Sequence, residues 1–155
     1  MNEELEIKKI RFTSRPESVP YFYRLSYRAS ITCLLLKLTC RKNSSCSLTK
    51  LHLIITVMFN EDESNKLIEY INKNDLSRIT LRYDPTVNTT VEYLLAEKLI
   101  YLNDSNQFML TDKGNSFVDA IISDSGLLIK EKAFLKKLGS KLSEVKIKQI
   151  SNQLI

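Results

Sequence analysis

Residues 96–117 read AEKLIYLNDSNQFMLTDKGNSF, and the reading of this stretch decides the fold. Leu99-Ile100-Tyr101-Leu102 is an apolar run of strand length. Asn103-Asp104-Ser105-Asn106 is a block of turn formers, and Gln107-Phe108-Met109-Leu110 returns as a second strand. Thr111 then stands where a helix N-cap belongs, and Phe117, Val118, Ile121 and Ile122 follow at helical spacing through Ser123. The apolar residues of this hairpin (Ile100, Leu102, Phe108 and Leu110) are expected to seal the base of a helical core. Gly114 is expected to permit a close approach beneath it.

Upstream of the hairpin the helical period prevails. Val87, Val91, Leu94 and Leu95 put one apolar face on a helix over 86–99. Further back, Ile79–Tyr83 alternates as a short strand and Asp84-Pro85 breaks it. Asn60 is placed to cap a helix in which Glu61, Asp62 and Glu63 suit the positive end of the dipole and Leu67, Ile68 and Ile71 face inward. Ser47 caps a largely buried helix carrying Leu48, Leu51, Ile55 and Met58. The first helix spans 23–40, with Tyr27, Ile31, Leu34, Leu35 and Leu38 in phase. Helix, helix, helix, hairpin, helix is winged helix-turn-helix order. The expected fold is therefore mainly α: an N-terminal arm over 1–20, a winged-helix domain with a β-hairpin wing over 21–126, and a C-terminal helical appendage over 127–155. That appendage holds helices over 130–138 and 142–154, able to pack on the domain or on a partner.

Composition agrees with a mainly helical fold. The 155 residues include only three Gly and three Pro, too few for the turns of a sandwich or barrel. The opening residues MNEELEIKKIRF carry acids and no apolar core of a signal peptide, and no apolar run nears the roughly 20 residues that cross a bilayer. A soluble, cytoplasmic protein is expected. Cys33, Cys40 and Cys46 are odd in number, lack CxxC spacing and have only His52 as a further soft ligand, so free thiols are expected and no metal.

Charge is segregated. Residues 1–50 balance at +6, residues 51–129 at −6 and residues 130–155 at +5. In winged helices that read DNA, the helix before the wing enters the major groove. Its outward positions here are Asn88, Thr89, Glu92, Glu97 and Lys98, and the wing turn adds Asp104, so one cation faces three carboxylates. Duplex binding draws most of its affinity from Lys and Arg on phosphates, so Asn88, Thr89, Glu92 and Asp104 are expected to face protein. Contact with DNA or an acidic partner falls instead to Lys8, Lys9, Arg11, Lys136, Lys137 and Lys141. Arg24, Arg28, Arg41, Lys42, Lys50, Lys132, Lys146 and Lys148 are further basic positions. One histidine on an apolar helix builds no triad; GxGxxG, Walker A and HExxH are absent, so no enzymatic activity, small-molecule substrate or cofactor is expected.

Four stretches carry a resemblance. They are RLSYRASITCLLLKL (24–38), CSLTKLHLIITVM (46–58), RYDPTVNTTVEYLLAEKLIYL (82–102) and FMLTDKGNSFVDAI (108–121). Over about residues 21–140 the chain resembles the small middle component of bacterial ABC three-component systems, as found in Lamassu-type anti-phage defence operons. The resemblance implies a non-catalytic adaptor between a large SMC-like ATPase and an effector subunit, often a nuclease, with DNA reached through the complex. It brings no catalytic motif. Two other readings stay open: a winged-helix DNA-binding transcription regulator, and an inhibitor that neutralises a basic partner.

Overall fold

The computed structural model describes residues 19–41, 45–73 and 79–153. After a short 3-10 turn at Tyr21–Tyr23, helices α1 (Leu25–Thr39), α2 (Leu48–Met58), α3 (Glu61–Lys73) and α4 (Pro85–Ala96) precede strands β1 (Ile100–Leu102) and β2 (Phe108–Leu110). Helices α5 (Asp112–Ser123), α6 (Ile129–Leu138) and α7 (Glu144–Asn152) follow, with a 3-10 turn at Gly139–Lys141 between the last two. The protein is mainly helical with one small antiparallel sheet.

Helix α1 is the axle of the core. It packs against α2, α4, α5, α6 and β2, so it is buried nearly all round rather than on one stripe: Ile31 through Leu36 have no exposed member. Its buried threonines bond to the helix itself; Thr32 Oγ1 donates to the Arg28 carbonyl at 2.8 Å and Thr39 Oγ1 to that of Leu35 at 2.7 Å. Leu51, Leu53 and Ile54 of α2, Leu67 of α3, Leu94 of α4 and Leu135 and Leu138 of α6 are fully enclosed around it. Each such side chain contributes about 1.5–3 kcal/mol relative to exposure.

The caps sit where the sequence puts them. Ser47 Oγ accepts from Lys50 N at 3.2 Å, Asn60 Oδ1 from Glu63 N at 3.2 Å, and Thr111 Oγ1 from Gly114 N at 3.0 Å. In the hairpin Ile100 pairs with Leu110, Tyr101 with Met109 and Leu102 with Phe108. Asn103 Oδ1 accepts from the N–H groups of Ser105 and Gln107, each at 3.0 Å, which shapes the turn. Cys46 adds a one-residue bridge: its N–H and carbonyl bond to Phe108 at 3.0 and 2.8 Å. A Cβ on Gly114 would lie 2.0 Å from the Leu99 carbonyl oxygen, so the expected close approach is present.

Several expectations are corrected. Ile79–Tyr83 lies in no strand and has no ladder partner among the described residues. Its alternation records instead that Ile79 and Leu81 pack on the core while Thr80, Arg82 and Tyr83 are exposed. Asp84-Pro85 does not merely break that segment; Asp84 caps α4 and Pro85 is its first residue, where a missing N–H costs nothing. Leu48, Leu95 and Leu102, expected to face inward, are exposed, and Phe117 is half-buried. Leu102 is exposed at the turn end of β1, whereas Ile100, two residues back on the same face, is buried.

Helices α6 and α7 pack on α1 and α2. Leu135, Leu138, Leu142, Ile147 and Ile150 join the same core as the rest. Glu144, the first residue of α7, accepts from Ser47 N at 2.9 Å, so one helix N-terminus braces another. Leu128, with φ of 50°, and Gly139, with φ of 49°, turn the chain into and out of α6. Among the described residues no helix is long and apolar enough to cross a membrane.

Candidate partner-binding surface

The outward face of α4 is held by a polar network that the core could not otherwise accommodate. Asp84 Oδ1 accepts from Thr86 N at 2.9 Å and Thr86 Oγ1 at 2.6 Å, closing the first turn. Its other oxygen accepts from Arg28 Nη1 at 2.7 Å, and Arg28 Nε donates to the Phe22 carbonyl at 2.8 Å. The guanidinium lies 5.1 Å from the Phe59 ring centre and 5.7 Å from that of Tyr23. Burial alone would raise the Asp84 carboxyl, but the Thr86 bonds and the Arg28 charge outweigh it and hold the pKa below the usual value.

His52 completes the network from α2. Asp84 N donates to Nδ1 at 3.1 Å, which makes Nδ1 an acceptor and leaves the proton on Nε2, 3.1 Å from Asn88 Oδ1. Protonation would set an Nδ1–H against the Asp84 N–H. Burial lowers the ring's pKa, and the opposing pull of Asn88 and Asp84 does not reverse that. His52 is thus a satisfied core histidine joining α2 to α4. Among the described residues, Asp84 N, Asn88 and the Tyr83 ring are the partners of its imidazole.

The sequence-predicted residues fall as follows. Asn88, Thr89 and Glu92 are all exposed on α4, and Asp104 is exposed at the tip of the β1–β2 turn. Asn88 is partly committed, since its carbonyl oxygen already holds His52. Lys136 and Lys137 on α6 and Lys141 in the following 3-10 turn are exposed. Lys8, Lys9 and Arg11 lie outside the described residues.

Three of the further basic positions are not surface cations. Arg28 is buried in its pair with Asp84. Lys50 is buried with Nζ 3.3 Å from the Thr39 carbonyl at the end of α1, and Lys132 is buried with Nζ on the Asp124 carbonyl. Both lysines serve helix ends, where oriented carbonyls attract a cation. Lys146 holds its Nζ 5.8 Å from the centre of the Tyr70 ring.

The surface also carries exposed apolar side chains, some of them expected to face inward and others outside the apolar phase. Tyr93 and Leu95 are exposed on α4, Tyr83 just before it, and Tyr101 and Leu102 on β1. Tyr101 and Met109 overlook a groove of about 790 Å³ whose other wall is Leu36, Lys37, Cys40 and Arg41. A smaller apolar hollow of about 270 Å³ lies between Tyr21 and Tyr27 on one side and Ile121, Leu127 and Leu128 on the other. Tyrosines between the in-phase apolar positions were the available signal, because a solvated face has no need of so many rings.

Among the described residues no cluster of three or more His, Cys, Asp or Glu is placed to hold a metal ion. The chain matches no family model, no curated protein and no solved structure.

Proposed function

We propose that the protein is a non-catalytic adaptor with a winged-helix architecture, the small subunit of a defence complex in which a large SMC-like ATPase is linked to a nuclease-type effector. One observation carries the protein-binding part of this reading. The exposed residues of α4 and the hairpin combine Tyr93, Leu95, Tyr101 and Leu102 with Glu92, Glu97 and Asp104, and Lys98 is the single cation on those segments. Aromatic side chains set among polar ones suit a polypeptide interface, whereas a phosphate backbone would be repelled by these carboxylates.

The winged-helix reading is supported by chain order. Helix α1, the Cys46 bridge, α2, α4 and the β1–β2 hairpin follow one another as first helix, first strand, second helix, reading helix and wing, with α3 as an insertion. The resemblance over about residues 21–140 supports the defence role. Exposed Lys136, Lys137 and Lys141 lie on a separate element and suit an acidic partner or the DNA carried by the complex. Expression of the tagged chain together with its flanking genes tests the proposal. The large ATPase copurifies in fixed ratio if the proposal holds; a chain that elutes alone overturns it. Salt-dependent binding of its own promoter by the isolated chain would establish the transcription regulator in its place.

A further inference from the structure

Cys40 and Cys46 lie at the two ends of the link between α1 and α2, yet their side chains meet. Cys40 is the C-cap of α1 and Cys46 is the bridge residue that bonds to Phe108. The end of α1 and the start of α2 are drawn together by Lys50 Nζ, 3.3 Å from the Thr39 carbonyl, and the Cys40 and Cys46 thiols are close enough to interact; the Cys46 thiol itself donates to the Ser47 carbonyl at 3.5 Å. Their environments differ. Cys40 lines the open groove beside Arg41 and Tyr101, whereas Cys46 is wholly enclosed. Cys33 is also enclosed, on α1 within the core. From that placement we propose that Cys40 and Cys46 form an oxidation-sensitive dithiol, with Cys40 the sulfur that meets a hydroperoxide in the groove and Cys46 the sulfur that resolves it.

The charged surroundings support this division. Interaction with the Cys46 thiol lowers the Cys40 thiol to about 7 despite burial, and the Lys50 charge adds to it; Glu144 opposes. Burial and the Cys40 contact push Cys46 well above its ordinary value. Burial alone pushes Cys33 up to about 12. A thiolate with a pKa near ambient pH combines population with nucleophilicity.

The step balances with hydrogen peroxide as oxidant. The Cys40 thiolate attacks one peroxide oxygen, the O–O bond breaks, and hydroxide leaves and takes up a proton as water. Cys40 is then a sulfenic acid. The Cys46 sulfur, giving up its proton, attacks the Cys40 sulfur; the S–O bond breaks and a second water departs. The two sulfurs have lost two electrons to the peroxide. A bond of about 2.05 Å requires the two neighbouring sulfurs to close by local movement at the end of α1. The disulfide would tie the end of α1 to the bridge that carries β2, beneath Tyr101 and Met109. This inference is independent of the adaptor reading.

The test uses the full reduced chain, folded, with stoichiometric hydrogen peroxide, followed by alkylation and trypsin without reduction. Cleavage after Arg41 and Lys42 separates the two cysteines, so a disulfide yields Leu38–Arg41 joined to Asn43–Lys50, short by two hydrogens. That species is expected, with Cys33 recovered as the alkylated thiol. Alkylation by iodoacetamide at pH 7 should also be more than about tenfold faster at Cys40 than at Cys33, a gap that urea removes. Recovery of Cys40 as free thiol or sulfinic acid without the joined peptide overturns the proposal. So does a folded chain whose Cys33 and Cys40 react at equal rates.

Discussion

Arg28 Nη1 stands 2.7 Å from Asp84 Oδ2 across 56 residues of sequence, and this contact fixes the start of α4 against α1. The same carboxylate caps the helix through its other oxygen, so one side chain sets both where α4 begins and how it sits on the core.

Removing either partner leaves the other without its counter-charge. The Arg28 side chain is 3% exposed and that of Asp84 is 24% exposed, so solvent relieves the aspartate more than the arginine. Asp84→Ala is expected to lose about 3 kcal/mol or more, cap included, and Arg28→Met about 2 kcal/mol. The double variant should lose less than the sum. Urea melts of the four proteins measure this; additive losses would mean the pair is not coupled.

Acid should weaken the fold in two waves of the same sign. The His52 ring has a lowered pKa, so its contribution is whole above the ordinary value of 6.5, where folded and unfolded rings are both neutral. As pH falls below that, the unfolded ring takes a proton first and stability declines until pH passes the folded value. The Asp84 carboxyl is likewise held low, so its contribution is whole above 3.8 and is lost as pH falls through its folded value. The chain has a single histidine, and the Cys40 thiol, lowered to about 7, adds a loss of the same sign as pH falls through neutrality, so a Cys40→Ser background isolates the His52 wave. Chemical denaturation from about pH 7.5 to about pH 5 should show it in the Cys40→Ser protein and not in Cys40→Ser/His52→Asn. Parallel curves would remove His52 from the account.

A methyl group at position 114 has nowhere to go, because the neighbouring atom is backbone. Gly114→Ala is expected to lose about 1–3 kcal/mol as the hairpin shifts away from α5. Thermal melts report it, and an unchanged midpoint would show that the Leu99 carbonyl yields freely.

Core and surface charges should separate cleanly. Leu94→Asp buries an unpaired carboxylate in a site with no exposure and should unfold the protein. Reversing Lys136, Lys137 and Lys141 to Glu should leave the circular dichroism melt within about 0.5 kcal/mol of wild type while weakening retention by an acidic partner or by DNA in the complex. Retention equal to wild type would clear these lysines of that role.

Caps and helix spans were legible because they depend on neighbours in sequence: Ser47, Asn60 and Thr111 each bond three residues ahead. Burial of α1 on all sides was not, since it depends on how many elements surround the helix. The false strand at 79–83 shows the same limit, for alternation reports burial and a ladder needs a partner. Of the candidate surface, the outward facing of Asn88, Thr89 and Glu92 followed from the apolar phase of α4. The conversion of Arg28, Lys50 and Lys132 from surface cations to buried braces did not, because each finds its partner through the fold.

The face formed by α4 and the hairpin is most directly tested by comparing wild type with a Tyr93→Ala/Tyr101→Ala variant, each tagged and coexpressed with the flanking genes. Both rings are substantially exposed, so the variant's melting temperature should hold. Wild type is expected to bring down the large ATPase and the variant to release it. A variant that holds the ATPase as tightly as wild type, or a wild-type chain found with α4 and the hairpin seated on duplex DNA, would contradict it.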